Sequence, residues 1–326
     1  MRNLFFLFLF LLPILCFGQN DTAVKIKKDK ITAWHADESS AMKVFYSQKL
    51  INANTVEVLP KGIMEFRVSH AFSDMGGHQG GISPHFFGLE DAYDVRIGFQ
   101  AGLTDRLNVL ISRAKGGGTP NAPAQLYELG IKYQFMKQEE NDSRHPFSLT
   151  LFANSVVSSM KASPDSLPGL ENSFTKFSDR TSEVIQLMIA RKFGKISLQL
   201  SPTFLTRGYV INGDDKNLFA IGGAVRIPIT SKFIFIADYF HTFRSQRSKD
   251  VFANPSQGQA LTFYDALGVG AEILTAGHVF HLNFTNATDL LENRFIPHTF
   301  KSWGKGEFRW SFTISRNFTI FRDKKK

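Results

Sequence analysis

The chain of 326 residues contains a single cysteine, Cys16, and it lies inside the first eighteen residues. A chain cut after Gly18 therefore has none. That excludes a disulfide scaffold, Cys-ligated zinc, an attached c-type haem and a cysteine nucleophile. Long apolar runs are just as scarce. The only one is Leu4–Phe17, nearly all Leu and Phe and broken by Pro13. Arg2 precedes it, and Cys16-Phe17-Gly18 puts small residues at the −3 and −1 positions of a cut after Gly18. Residues 1–18 read as a secretory signal peptide. Leu15 is too large to precede an acylated cysteine, which argues against a lipoprotein. No later run approaches the roughly eighteen apolar residues that a membrane helix needs. A helical membrane protein is excluded, but one built from strands is not, because its strands alternate.

Two chemical signatures are missing as well. Barrel enzymes that hydrolyse lipids place a Ser two residues after a His, so that both point the same way from one strand. None of the nine histidines here has that neighbour. A triad assembled from separate strands stays open, although the reading is of a protein that is not an enzyme. "KGGGTP" and "GGHQGG" lack the GK[ST] ending of a phosphate loop. His78 and His85 share a glycine-rich loop and read as surface histidines rather than a metal pair. No metal and no cofactor is expected. Net charge is +9, or +8 without Arg2, but Lys and Arg are spread along the chain. The clusters "KIKKDK" and "RDKKK" read as solvated ends of an exported protein, with acidic lipid headgroups as a further contact and no nucleic acid.

What the sequence has in abundance is alternation. In "IGFQAGLTDRLNVLISR" (97–113), Ile97, Phe99, Ala101 and Leu103 oppose Gly98, Gln100 and Gly102, and Leu107, Val109 and Ile111 follow. Similar stretches recur from Lys61 to Phe321. They give about twelve strands of roughly ten residues, the length a tilted strand needs to cross a bilayer. The stretches near 147–157 and 182–192 are ambiguous, because both faces are apolar there. Connections alternate in length. Short ones fall at 104–106, 193–195, 228–231 and 274–277, with a medium one near 137–145. Long ones fall near 74–93, 115–125, 158–181, 207–217, 244–262 and 285–305. A soluble sandwich has no reason to sort its loops this way. The fold expected is all-β: a closed antiparallel transmembrane β-barrel with short periplasmic turns, long outer loops and an outer-membrane location. Residues 19–60, with scattered apolar points at Trp34, Val44 and Phe45, read as a polar periplasmic leader, and residues 61–326 as the barrel.

Residues 44–160 resemble an outer-membrane β-barrel family of unassigned function that is widespread in the Bacteroidota (domain of unknown function 5777). The resemblance rests on "VFYSQKLINANTVEVLPKGIMEFRVSHAFS" (44–73), "FFGLEDAYDVRIGFQAGLTDRLNVLISR" (86–113) and "YELGIKYQF" (127–135). That family's first strand ends in His-Arg-Phe-Gly, whereas here it is His70-Ala71-Phe72-Ser73. Any role of the missing Arg is not carried over. The resemblance implies a membrane barrel and no reaction.

The polar faces carry Glu65, Arg67, Arg96, Glu128, Lys132, Arg226, Asp238, Glu272, Glu307 and Arg309. Both signs are equally represented. These ten are the candidate lumen-facing binding residues. They suit either a salt-bridged interior in a plugged barrel or a water-filled pore whose charges steer solutes. Glycines on the same faces (Gly98, Gly102, Gly130, Gly222, Gly268 and Gly270) make room for water or for a folded-in loop. The reading favoured is a passive pore for small polar solutes. The alternative is a closed barrel that anchors or scaffolds a periplasmic or surface protein. Outer-membrane lipid is the partner expected in either case.

Overall fold

The computed structural model describes residues 42–76, 86–117, 122–140, 142–163, 170–255 and 260–321. The signal peptide, residues 19–41 of the leader, and His78 and His85 lie outside the described residues. The twelve strands are β1 (Ile63–Asp74), β2 (Ala92–Gly102), β3 (Leu107–Ala114), β4 (Leu126–Met136), β5 (Ser148–Ser158), β6 (Thr181–Phe193), β7 (Ile196–Arg207), β8 (Asn217–Pro228), β9 (Phe233–Phe243), β10 (Ala266–Leu274), β11 (Val279–Thr285) and β12 (Arg309–Thr319). Two helices interrupt the loops: α1 (Gln246–Ala253) between β9 and β10, and α2 (Glu292–Phe295) between β11 and β12.

Each strand pairs antiparallel with its sequence neighbours, and β1 pairs with β12 from Ile63↔Thr319 to Asp74↔Arg309. Closure removes both edges, so no ladder N–H is left facing lipid. The side-chain pattern is inverted relative to a soluble protein. On β4, Tyr127, Leu129, Ile131, Tyr133 and Phe135 are exposed on the outer face, whereas Glu128, Lys132 and Gln134 are buried inside. An apolar outer belt of this kind is stable only against hydrocarbon.

Short connections (103–106, 194–195, 229–232 and 275–278) and a medium one (137–147) gather at one end, and the others (75–91, 115–125, 159–180, 208–216, 244–265 and 286–308) at the other. The local chemistry of the short turns is legible. Thr104, Thr230 and Thr275 each accept a hydrogen bond from the backbone N–H three residues on, at 2.9, 3.0 and 3.1 Å. A hydroxyl in that position closes a tight turn without help from the rest of the fold.

Two expectations are corrected. Glu307 is not on a strand, because β12 begins only at Arg309. Gly306 sits at φ 73° and Trp303 stacks on Phe308 with ring centroids 4.6 Å apart, which holds 303–308 in a turn. There the Glu307 carboxylate accepts the Ser302 N–H at 3.0 Å. The boundary at residue 60 also fails to separate leader from barrel, because residues 42–60 lie inside the lumen.

Candidate functional site

The lumen is filled by a hairpin that enters and leaves at the short-turn end. Met42 donates its N–H to the Gln138 carbonyl at 2.9 Å, and Lys61 donates its N–H to Asp105 at 3.0 Å. Between these points the chain rises into the barrel and returns. Lys49 and Asn54 form an antiparallel bridge, Leu50 N–H reaches the Ala53 carbonyl at 2.9 Å, and Thr55 N–H reaches the Gln48 carbonyl at 3.1 Å. The tip is Ile51-Asn52, between Leu50 and Ala53, and all four residues are buried.

The barrel wall supplies the partners that the hairpin backbone needs. Asp238 on β9 caps the tip: one oxygen accepts from the N–H groups of Ile51, Asn52 and Ala53 at 3.2, 2.7 and 2.9 Å, and the other accepts Asn52 Nδ2 at 2.9 Å. Lys132 on β4 donates to the carbonyls of Gln48 and Glu57, both at 3.1 Å, and so ties the two legs together. Gln199 on β7 accepts from Val56 N–H at 2.9 Å and donates to the Asn54 carbonyl at 2.6 Å. Gln134 and Thr150 both donate to the Val56 carbonyl, at 2.9 and 2.7 Å. A hairpin with no sheet partner would otherwise bury unsatisfied N–H and C=O groups at about 1–3 kcal/mol each.

The remaining charges are paired with one another. Arg67 contacts Glu65 at 2.9 Å, and Arg96 contacts Glu128 at 2.6 Å. Ser112 and Asn154 also donate to Glu128, at 2.5 and 2.7 Å. Arg226 contacts Glu272 at 2.9 Å, and Arg309 pairs with Asp74. Thus Glu65, Arg67, Arg96, Glu128, Lys132, Arg226, Asp238, Glu272 and Arg309 all face inward and are buried. None stands as a bare charge over water. Burial without a partner would cost several kcal/mol per ion.

From the opposite end the β11–β12 loop folds inward. Leu291, Glu292, Asn293 and Phe295 are almost completely buried. Glu292 on α2 pairs with Lys49 of the hairpin and accepts Asn54 Nδ2 at 3.1 Å. Hairpin and loop therefore meet within the barrel.

One part of the lumen wall is apolar, which sequence reasoning missed. Phe152, Val184, Met188, Leu205, Leu218, Ile234, Ile236 and Phe240 face inward from β5 to β9. They form one cluster with Val44, Phe45, Leu50, Ile51, Ala53 and Val56 of the hairpin and with Phe295 and Ile296 of the loop. The signal was the two-sided apolarity of 147–157 and 182–192, since an inward Phe or Met needs an apolar partner inside. Room for the hairpin comes from glycine. A Cβ on Gly268 would stand 2.7 Å from Ile51 Cγ2, and one on Gly102 would strike the Pro60 carbonyl. These lumen glycines make space for chain rather than for water.

Two clusters bear on chemistry. Ser47 Oγ lies 3.2 Å from His281 Nε2 and 2.5 Å from Glu272. Glu272 lies 3.3 Å from the same Nε2, and Nδ1 of His281 has no partner. In a catalytic triad the carboxylate orients the opposite ring nitrogen. Here Ser47 and Glu272 both converge on Nε2 of His281 in a closed interior, an arrangement that fastens the hairpin. At the long-loop end, Glu171, Asp214 and His298 bring ligand-type atoms within 4.8 Å of one another. The site is already occupied by arginine: Arg207 lies 2.7 Å from Asp214 and 3.4 Å from Glu171, and Arg244 lies 2.5 Å from Asp214. Burial pushes the His298 imidazole down to about 4 against the pull of Glu171. Burial also resists ionisation of Glu171, but His298, Arg207 and Arg294 outweigh it and hold it down at about 2. The cluster is an ionic latch joining four long loops. A second group, Glu139, Asp142 and His145 in the β4–β5 turn, is only half-buried, and Arg144 pairs with Asp142 at 3.2 Å.

No curated protein matches the chain. Among solved structures it is similar to the KdgM porin, at 8% identity over 78% of this chain and 99% of that one, with a TM-score of 0.43. It is also similar to an outer membrane channel from Pseudomonas putida F1, at 15% identity over 81% of this chain and 98% of that one, with a TM-score of 0.44. The strand architecture and the outward apolar belt agree with the match of a family model to residues 45–318, and the chain belongs to the membrane-bound beta barrel domain family, DUF5777.

Proposed function

We propose that this protein is an outer-membrane barrel held shut by its own N-terminal hairpin, and that in this state it serves as a membrane anchor for a periplasmic or surface protein. The observation that carries the reading is the double seal. Residues 42–60 occupy the lumen from the short-turn end, the β11–β12 loop occupies it from the other, and Lys49 and Glu292 join them. An apolar inner wall from β5 to β9 supports the same reading, because a water-filled pore would leave that wall bare at roughly 25 cal/mol per Å².

A second reading is favoured by the opposite wall. Glu65, Arg67, Arg96, Glu128 and Lys132 on β1 to β4 would line a polar path if the hairpin withdrew. In that reading the protein is a gated, porin-like barrel for small polar solutes, steered by those charges.

Closure is tested with Ala53→Cys, a buried hairpin position whose side chain makes no polar contact, since the described chain contains no native cysteine. In folded, bilayer-inserted protein this buried thiol is expected to resist a water-soluble maleimide and to react only after unfolding. Rapid labelling of the folded protein would reject a lumen sealed at rest.

A further inference from the structure

Several cations at the long-loop end have acid partners. At the long-loop end Arg207, Arg244, Arg294, Lys301 and Arg309 are all committed to Glu171, Asp214 or Asp74. At the short-turn end an arc over the β6–β7 and β8–β9 turns is basic and has no acid. The segments 188–199 and 226–236 contain no Asp or Glu. Arg191, Lys195 and Lys232 are exposed there, and none forms an ion pair among the described residues. Such bare cations in adjacent turns repel one another unless a counter-charge lies near.

Their level relative to the bilayer is set by their neighbours. Arg191 points outward, with its guanidinium over the ring of Phe193 at 4.8 Å from the centroid. Phe193 is 52% exposed and Phe233 46% exposed on the lipid-facing surface, at the last residue of β6 and the first of β9. Aromatic rings at strand ends mark the boundary between hydrocarbon and headgroups. Arg316, at the short-turn end of β12, repeats the arrangement over Phe318 at 5.2 Å. The cations thus sit where phosphodiester groups lie, with apolar rings beside them for the acyl chains.

We propose that Arg191, Lys195 and Lys232 form a binding surface for anionic phospholipid, of the phosphatidylglycerol type, in the leaflet at the short-turn end. The inference rests on the barrel spanning a bilayer, and a heat-shifted gel band checks that folding separately in every sample. Full-length protein in mixed micelles is titrated with phosphatidylglycerol or phosphatidylcholine, and retained lipid is counted by native mass spectrometry. Phosphatidylglycerol should be retained about tenfold over phosphatidylcholine. Replacing the three with Gln (Arg191→Gln, Lys195→Gln, Lys232→Gln) should abolish the preference. The same change at Lys161, Lys176 and Lys249, exposed on the long loops, should leave it intact. Equal retention of the two lipids would overturn the proposal, and so would a preference that survives the first triple variant or disappears equally in the second. Competition by millimolar inorganic phosphate would also overturn it, by pointing to a small-anion site instead of a lipid surface.

Discussion

Asp238 shows how much one side chain can hold. Its carboxylate accepts three consecutive backbone N–H groups at the hairpin tip as well as the Asn52 amide. Asp238→Ala removes every one of these acceptors while the donors stay buried. We expect the docked hairpin to lose about 3 kcal/mol, and labelling of Ala53→Cys in the folded protein to rise on the order of a hundredfold. Unchanged labelling would show that the cap is dispensable. Gly268→Ala acts from the other side by placing a methyl 2.7 Å from Ile51 and 2.8 Å from Asp238, so it should also raise labelling. At this scale the alternation put Asp238 on a polar face but carried no sign of its role, because a cap is defined by a segment nearly two hundred residues away. Glu307 was misplaced for a local reason: Gly306 ends the loop only just before β12, and periodicity does not register a positive φ.

At the scale of the element, β5 to β9 explain why part of the pattern was ambiguous. A strand between lipid and water alternates cleanly, but a strand between lipid and an apolar plug is apolar on both faces. Met188 and Phe240 are inward and buried, whereas Leu129 is 63% exposed to the lipid side. Met188→Ala and Phe240→Ala should each destabilise the folded barrel by about 2–5 kcal/mol, read from urea-dependent gel-shift transitions in lipid, because each leaves a cavity. Leu129→Ala should cost far less, since lipid fills the space. Equal costs would mean that the inner wall is not packed. The hairpin itself left only a weak signal, "LINANTVEV", in which Leu50-Ile51 and Val56 lie either side of Asn52-Ala53-Asn54. Nothing in its composition showed that the surface it packs on is the inside of a barrel.

The long-loop latch is also an element-scale device, and its pH dependence has a definite sign. His298 titrates near 4 in the folded protein, below the ordinary value near 6.5 of an unfolded chain. As pH falls from about 6.5 to about 4 the unfolded chain takes up a proton that the folded one refuses, so stability is lost across that window, by at most ~3 kcal/mol. Glu171, held at about 2, adds a further loss between about 4.5 and 2. The melting temperature should therefore fall from pH 7 to pH 4, and His298→Gln should flatten the curve above pH 4.5. A wild-type curve that is flat between pH 6.5 and 4 would contradict the buried, neutral imidazole.

For the whole molecule, the barrel was legible because lipid and interior impose a period of two on nearly every strand, and because loop lengths sort between the two ends. The state of the lumen was not legible, since inward charges and glycines suit a wet pore and a filled one equally well. The positions of residues 42–60 and of the β11–β12 loop distinguish the two. The central claim is that the resting barrel is sealed, and single-channel recording on the protein refolded and inserted into a planar bilayer tests it most directly. The full chain should give no stable conductance steps, and Asp238→Ala, which releases the hairpin tip, should give intermittent ones. Sustained, uniform steps from the full chain at neutral pH would contradict the account.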